Sequence, residues 1–487
     1  MSSAKRVARN TSLLTIGQII SYGESAIYII LIARYLGPQG LGILNLGLAL
    51  TAVFASLATF GLTTLATREV AKDRGLASKY VANLIPMQVL LALAAIGLVV
   101  ALVNVIGYSQ ETIFVVYILS VVIIVGTLSS LFLAIFQAFE QLEFQALVLI
   151  VTSVVPLCGA VILIQLHLNV VAFALLVLLT AGSGSVIGLA YVYLICVRRF
   201  FVPRLEADFT FWKSALIEAW PMAASAVSVI IFFRIDVVMT SFIQGTTAVG
   251  FYSIAYTLSE ASLVVPSVFL SAIFPVLSRL HRDSKLSFRD TCAQAIKYLF
   301  YLAMPMAFFV TIWAKPIVYL LYGARFDPSV AALQILIWSA ALMWLTIFLG
   351  STLVAANLQK LGLKITFLGF ILNISLNVLL IPEYSYFGAS FATVVTAAFA
   401  LALQLFFLGR NGFALGFRGT SLAAFFGLAV IVAISALLHL GNVPLALITI
   451  VDLVLYAAVI HKFGLNEQDK QLILSLFKRP RPAEEEM

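Results

Sequence analysis

Charge is scarce in this sequence. Asp, Glu, Lys and Arg make up 10% of its 487 residues, where a soluble globular protein carries about 25%. With 62% of the residues hydrophobic, the length reads as many membrane spans, not several soluble domains. Cysteine is scarce too. Cys158, Cys196 and Cys292 lie in or beside apolar runs, with no CxxC and no Cys/His cluster. An odd, scattered set excludes a disulfide framework or a zinc site and leaves three thiols for core packing. Long polar loops are missing, so a catalytic site of the kind a membrane glycosyltransferase or polymerase carries on its loops has nowhere to sit. The chain is therefore read as a non-enzyme. No cleavable leader is expected. Met1–Asn10 is basic, but the apolar run after it exceeds a leader core of about 7–15 residues and no A-x-A-like site follows. The first segment is expected to stay in the mature protein.

What is present is a series of apolar runs. Fourteen spans are predicted, at 11–33, 41–66, 82–107, 112–136, 144–166, 169–196, 215–243, 247–277, 293–321, 330–356, 361–382, 386–409, 419–438 and 444–462. The predicted fold class is an all-α polytopic membrane protein. Its net charge of +8 would suggest nucleic acid in a soluble chain, but position explains it better. With the N-terminus placed in the cytoplasm, 25 of the 29 Lys and Arg fall on inner segments and only Arg34, Lys315 and Arg325 on outer ones. That asymmetry is the positive-inside pattern. It predicts a plasma-membrane protein with both termini cytoplasmic and no nucleic-acid partner. The inner connectors 67–81, 197–214 and 278–291 are expected to be short amphipathic helices, with Phe200, Phe201, Phe209, Phe211 and Trp212 as headgroup-level anchors. The tail KRPRPAEEEM is expected to be disordered.

The chain also repeats itself. Residues 37–50 read GPQGLGILNLGLAL and residues 245–258 read GTTAVGFYSIAYTL, so Gly37 and Gly42 match Gly245 and Gly250 at an offset of 208. After six spans the chain is back in the cytoplasm and starts again in the same orientation. This predicts parallel repeats: an N-lobe over 1–200 (spans 1–6), a C-lobe over 201–410 (spans 7–12), spans 13 and 14 over 411–463, and a cytoplasmic tail over 464–487. Five prolines inside spans, Pro86, Pro156, Pro221, Pro266 and Pro305, free backbone carbonyls and permit bends.

Few charges lie deep in the spans, and such groups mark function by default. Span 7 holds Arg234 and Asp236 near its middle. Two residues apart on a helix is about 200° of rotation, so the two cannot easily pair. One points to a cavity and the other into a helix contact. Glu24 lies at the middle of span 1, the repeat mate of span 7. Glu260 on span 8 is a candidate ion-pair partner for Arg234. Asn373 and Asn377 are four apart on span 11 and share a face. Arg34 ends span 1 on the outer side.

Three stretches carry a resemblance: ARYLGPQGLGILNLGLAL from residue 33, FRIDVVMTSFIQGTTAVGFYSIAY from residue 233, and AANLQKLGLKITFLGFILNISLNVLLIPEYSYFGASFATVV over 355–395. They resemble polysaccharide exporters of the Wzx type, in the superfamily that also holds multidrug-and-toxin exporters and lipid II flippases. The resemblance implies two six-helix lobes around a central cavity, with two extra C-terminal helices. It implies a polyprenyl-(pyro)phosphate-linked oligosaccharide as substrate, moved from the inner to the outer leaflet of the membrane lipid. It also implies glycan polymerases or ligases as candidate partners. A monomer is expected, with no cofactor beyond a coupling H⁺ or Na⁺.

In that frame Arg234 suits phosphate, because guanidinium donates a planar bidentate fork and keeps its charge. Glu260 would hold it until substrate arrives. Arg34 would guide phosphate at the exit or snorkel at the interface. Asn373 and Asn377 would bind sugar or a neighbouring helix. Glu24 and Asp236 are the coupling-ion candidates, Asp236 alternatively a structural partner. The sequence departs from a strongly cationic cavity: Glu24, Asp236, Glu260 and Asp452 stand against Arg234 alone. That acidic balance keeps a second reading open, a multidrug/cation antiporter of the sister family.

Overall fold

The computed structural model describes residues 3–199, 207–413 and 444–464. These residues are helical almost throughout, in the order α1 (Ser3–Thr59), α2 (Leu62–Lys72), α3 (Ala77–Ile106), α4 (Gln110–Ala138), α5 (Leu142–Gln165), α6 (Val170–Arg199), α7 (Phe209–Gln244), α8 (Thr246–Ala261), α9 (Val264–Asp283), α10 (Lys285–Tyr322), α11 (Ser329–Ala355), α12 (Gln359–Arg410) and α13 (Leu445–Val459). Among them, ten segments are long and apolar enough to cross a membrane. The chain is a multi-pass membrane protein.

Two of the ten segments take in two predicted spans each, so together they cover spans 1–12. α1 has 57 residues and would run ~85 Å if straight, nearly three hydrocarbon thicknesses. It is interrupted at Gly37 (φ 69°, ψ −176°), between predicted spans 1 and 2. α12 is interrupted at Ser385 (φ 52°, ψ −140°), between spans 11 and 12. There the chain folds back, since a Cβ on Gly388 would press on the backbone of Leu380. Predicted span 13 lies outside the described residues, and α13, with 15 residues, is shorter than predicted span 14. The splits near Gly107 and His167 fall at left-handed residues (φ 77° and 53°).

Elsewhere the structure corrects the sequence reading. Predicted span 8 is two helices, α8 and α9. Pro266 has no N–H to give the Ser262 carbonyl, and the helix breaks at that point. The connector 278–291 is helical as expected, but as the ends of α9 and α10 on either side of a single extended residue, Ser284 (φ −159°, ψ 110°), and not as a separate short helix.

The chain divides into two compact units. The first is Met1–Leu258, Lys315–Leu333 and Thr366–Thr396, and the second is Ser259–Ala314, Gln334–Ile365 and Ala397–Met487. In the first unit α4 packs on α6, α1 and α3, and α1 also packs on α5 and α7. Lipid is as apolar as a leucine side chain, so van der Waals fit holds spanning helices together, not the hydrophobic effect. Leu46, Leu50, Ala92, Val99 and Ile123 form one such interdigitated cluster. In the second unit, Trp344, Phe348 and Leu349 of α11 pack with Phe288, Ile296 and Leu299 of α10. α13 is tied to α10 in the same unit, where the Trp313 indole N–H donates to Thr449 Oγ1 (2.6 Å) and the Tyr456 hydroxyl to the Tyr301 carbonyl (2.8 Å).

The expected amphipathic inner helix is α2. Its buried face is Leu62, Leu65, Ala66 and Val70, at helical spacing, but protein covers that face. Phe211 and Trp212 pack on the same cluster and Phe211 meets Tyr80 edge-on at 5.1 Å, so neither is a headgroup anchor. Of the expected anchors only Phe209 is exposed (73%), while Phe200 and Phe201 lie outside the described residues. The thiols divide as well. Cys292 is buried but Cys158 is exposed, because a small apolar group meets the same medium on a lipid-facing surface as in a core.

The start of α7 is held by two polar side chains. The Asp208 carboxylate caps the helix by accepting from the N–H of Thr210 (2.9 Å) and Phe211 (3.1 Å). The Asp208 N–H in turn donates to Asn83 Oδ1 on α3 (2.9 Å). On α2, Glu69 accepts from Lys72 (2.8 Å) and Arg68 (2.7 Å), and Arg68 also pairs with Glu218. The Lys72 and Arg68 hydrogen bonds hold the Glu69 carboxyl below its usual range. A lowered folded-state value means stability that is present above the unfolded value, about 4.3 for Glu, and lost as pH falls through the folded one. Thermal melts of wild type and Glu69→Gln should therefore differ slightly at neutral pH and converge in acid.

Gly37 and Gly245 match in backbone as they do in sequence. Gly245 has φ 83° and ψ 176°, within about 15° of the Gly37 angles in both torsions. That region is open essentially to glycine alone. Alanine at either position should destabilise the protein by about 1–3 kcal/mol, read as a lower Tm in detergent. Alanine at Gly97, which has open space around it, serves as the control.

Candidate functional site

Asp236 is the centre of a buried polar cluster in the first unit. Its side chain is 3% exposed and sits among helices that supply three hydrogen bonds to it. Asn377 Nδ2 of α12 donates to Oδ1 at 2.5 Å. The Tyr252 hydroxyl of α8 donates to Oδ2 at 3.0 Å. The Thr393 hydroxyl, on the other arm of α12, lies 2.8 Å from Oδ2 and 2.8 Å from the Ala389 carbonyl. One hydroxyl proton serves only one of those two acceptors at a time. Asn377 spends its second amide proton on Asn373 Oδ1 at 3.0 Å. A carboxylate out of water is tolerable only when paired or hydrogen-bonded, and these donors meet that need.

Local geometry brings the donors together. Asn373 and Asn377 are one turn apart and face α7. The break at Ser385 folds the second arm of α12 back, which returns Thr393 to the same level. The carbonyls of Ile381 and Pro382 lose helical partners at that break, and the Gln244 side-chain amide, at the end of α7, donates to both (3.0 and 3.1 Å). The turn that carries Thr393 is thus held by the same helix that carries Asp236.

One acceptor is left over. Asn377 Oδ1 is buried without a hydrogen-bond partner among the described residues. Together with the Asp236 carboxylate and the Thr393 and Tyr252 hydroxyls it makes an all-oxygen set, the donor type that hard cations take.

Arg234 is half-buried on α7 and makes no hydrogen bond or ion pair among the described residues. It does not reach Asp236, as the rotation between them requires. An unpaired guanidinium inside a predicted span is a group held for something else.

Residues 7–281 of this sequence match a family described as polysaccharide biosynthesis protein, which is more than half of the chain. The chain belongs to that family. A second family description, MatE, matches residues 221–379. Among curated relatives, a probable low-salt glycan biosynthesis flippase, Agl15 of Haloferax volcanii, is 23% identical over 407 residues, covering 82% of this chain and 83% of that protein. The capsular polysaccharide biosynthesis protein CapF of Staphylococcus aureus is 26% identical over 169 residues, 34% of this chain and 42% of its own. Among solved structures, the lipid II flippase MurJ in an inward closed conformation has a TM-score of 0.75 at 16% identity, over 95% of this chain and 99% of that one. An inward-facing multidrug resistance MATE transporter has a TM-score of 0.65 at 15% identity, over 83% and 98%. These structural likenesses show the fold.

Of the other residues singled out in the sequence, Glu24, Arg34 and Glu260 do not join the cluster. Glu24 is half-buried on α1 beside the Ser25 hydroxyl (3.5 Å). Its Oε1 and the Tyr28 hydroxyl are buried without hydrogen-bond partners among the described residues. Arg34 is exposed, and its guanidinium donates to the carbonyls of Leu321 (2.7 Å) and Leu320 at the end of α10. That is a cation on a helix C-terminus, not a side chain snorkelling to the interface. Glu260 is half-buried near the end of α8 and belongs to the second unit. Asn373 and Asn377 are 2% and 0% exposed, facing Asp236 instead of an open cleft.

Sequence reasoning passed over Tyr252 and Thr393. Both lie in stretches already quoted for the resemblance. The available signal was polar side chains at helical spacing in otherwise apolar runs: Tyr252 and Tyr256 on one face, and Ser390, Thr393 and Thr396 around the other arm of α12.

Proposed function

We propose that this protein flips a polyprenyl-(pyro)phosphate-linked oligosaccharide from the cytoplasmic to the outer leaflet of the plasma membrane by alternating access, for cell-surface glycan export. The observation that carries the proposal is the unpaired, half-buried Arg234 on a membrane-spanning helix, in a chain related over most of its length to a glycan flippase. The chemistry is transport without bond making. The sugars and phosphate need a wet polar route, Arg234 supplies a bidentate donor for the phosphate, and Arg34 lies toward the exit. The positive-inside pattern supports cytoplasmic termini, and the protein acts as a monomer alongside glycan polymerases or ligases.

The Asp236 cluster is the proposed seat of a coupling cation, H⁺ or Na⁺, with Glu24 as a second carboxylate in the coupling path. Oxygen donors and an orphaned acceptor support this reading. A second reading, a multidrug/cation antiporter, is favoured by one observation: the MatE match over 221–379 includes Asp236, Asn373 and Asn377.

Purified protein in liposomes separates the two. The first reading expects a fluorescent polyprenyl-linked glycan to change leaflet, with a rate that responds to a Na⁺ or H⁺ gradient. Exchange of an organic cation for Na⁺ or H⁺, with the glycan left in its original leaflet, would sink it in favour of the second.

A further inference from the structure

The first turns of α7 carry a groove that neither the Asp236 cluster nor Arg234 uses. Its volume is about 550 Å³, and it is lined by Thr210, Lys213, Ser214, Ile217 and Glu218. These residues recur every three or four positions, so they form one face of the helix. Phe211, Trp212, Ala215, Leu216 and Ala219 lie away from it and pack against α2 and α3. With 36 residues, α7 is ~54 Å long, while the hydrocarbon layer is about 30 Å thick. Predicted span 7 ends one residue before the helix does, so the excess length lies on the inner side. The groove therefore stands in or beyond the inner headgroup layer.

The groove offers both halves of a hydrogen bond. Lys213 is a donor, and the Thr210 and Ser214 hydroxyls donate or accept. None of these three side chains makes a hydrogen bond or ion pair among the described residues. Two acceptors face them in the sequence of the same turns. One is the Glu218 carboxylate, which also takes Arg68 of α2. The other is the Ile217 carbonyl, because Pro221 lies inside α7 and has no N–H to give it. Exposed rings stand at either end. Phe209 (73% exposed) adjoins Thr210, and Trp220 (58%) lies one turn beyond Ile217.

This mixture selects among polar ligands. A phosphate only accepts hydrogen bonds, so a carboxylate and a bare carbonyl oppose it. A sugar hydroxyl donates and accepts, and the C–H face of a sugar ring lies well on an aromatic face, whose partial charge is negative. We propose that the groove on α7 holds the oligosaccharide of the substrate on the inner side before transfer, while the carrier lipid stays in the leaflet. The assignment rests on the orientation and flippase reading given above. It gives α7 two stations. Lys213 and Arg234 are 21 residues apart, ~31 Å along the helix, so the groove reads the glycan before the crossing and Arg234 meets the phosphate during it.

The test measures binding of labelled oligosaccharides, released by mild acid from the lipid-linked pool of the source cells, to the full-length protein in lipid nanodiscs. Wild type is compared with Ser214→Ala, Lys213→Gln, Glu218→Gln and Trp220→Leu, and flipping of the labelled glycan lipid is followed in liposomes. The groove predicts about five-fold weaker binding for each hydrogen-bonding side chain altered, the factor for one ordinary hydrogen bond. Arg68→Gln breaks the pair with Glu218 from outside the groove and should bind as wild type does. Equal losses in Arg68→Gln and Glu218→Gln, with Ser214→Ala and Lys213→Gln unaffected, overturn the groove. So does a wild type that takes no oligosaccharide, or a set of variants that lose a bound phospholipid in native mass spectrometry but no oligosaccharide. Groove-dependent binding in a protein that never flips the glycan upholds the site and sinks the transport reading. Flipping in a protein whose binding ignores the groove variants does the reverse.

Discussion

Asp236→Ala abolishes transport and lowers the stability of the folded protein by about 3 kcal/mol or more. The estimate follows from the donors it abandons, since each buried group left unsatisfied costs about 1–3 kcal/mol and Asn377 and Tyr252 both lose their acceptor, while Thr393 keeps the Ala389 carbonyl. Thermal unfolding in detergent reads the stability, and the liposome assay reads the transport. Asp236→Asn separates the two effects. It keeps the volume and an acceptor oxygen but not the charge, so it should recover part of the Tm while leaving transport unresponsive to a Na⁺ or H⁺ gradient. An Asp236→Asn protein with gradient-driven flipping equal to wild type would reduce the cluster to a packing device.

Arg234→Ala behaves in the opposite way, losing transport with little change in stability. Arg234 makes no hydrogen bond or ion pair among the described residues, so its removal breaks nothing in the resting protein. Its loss from a phosphate contact removes about 1.5–3 kcal/mol of charge-assisted hydrogen bonding, roughly ten- to hundred-fold in rate. Arg234→Lys keeps the charge but not the fork, and should fall between the two. A fully active Arg234→Ala protein with an unchanged Tm contradicts the phosphate role. The pair of experiments is informative because the residues are two apart on one helix yet fail in different currencies, one in fold and one in transport.

Much of the fold was legible because lipid imposes a coarse rule. A membrane span must be long, apolar and helical, so apolar runs and basic loops locate spans 1–12 without tertiary knowledge. Breaks inside spans were harder to read. Pro266 was visible as a bend, but that it splits a helix follows from where the Ser262 carbonyl ends up. The faces of amphipathic segments were also opaque: α2 and the Phe211–Trp212 pair show the right pattern for a headgroup anchor, and the same pattern suits burial against protein. At the candidate site the charged and amide residues stood out because they are rare in lipid. Tyr252 and Thr393 did not, since a tyrosine or threonine in an apolar run is ordinary. Their role depends on the fold-back at Ser385, which no local spacing announces. Arg34 was legible as an outer-end cation, but its partners are backbone carbonyls nearly three hundred residues away in sequence.

The matched turns at Gly37 and Gly245 separate shape from chemistry. Few side chains of the two stretches agree, yet both place a glycine at nearly the same unusual pair of torsions. What the two have in common at that point is a path of the backbone, and it survives any change of neighbouring side chains that leaves the glycine in place.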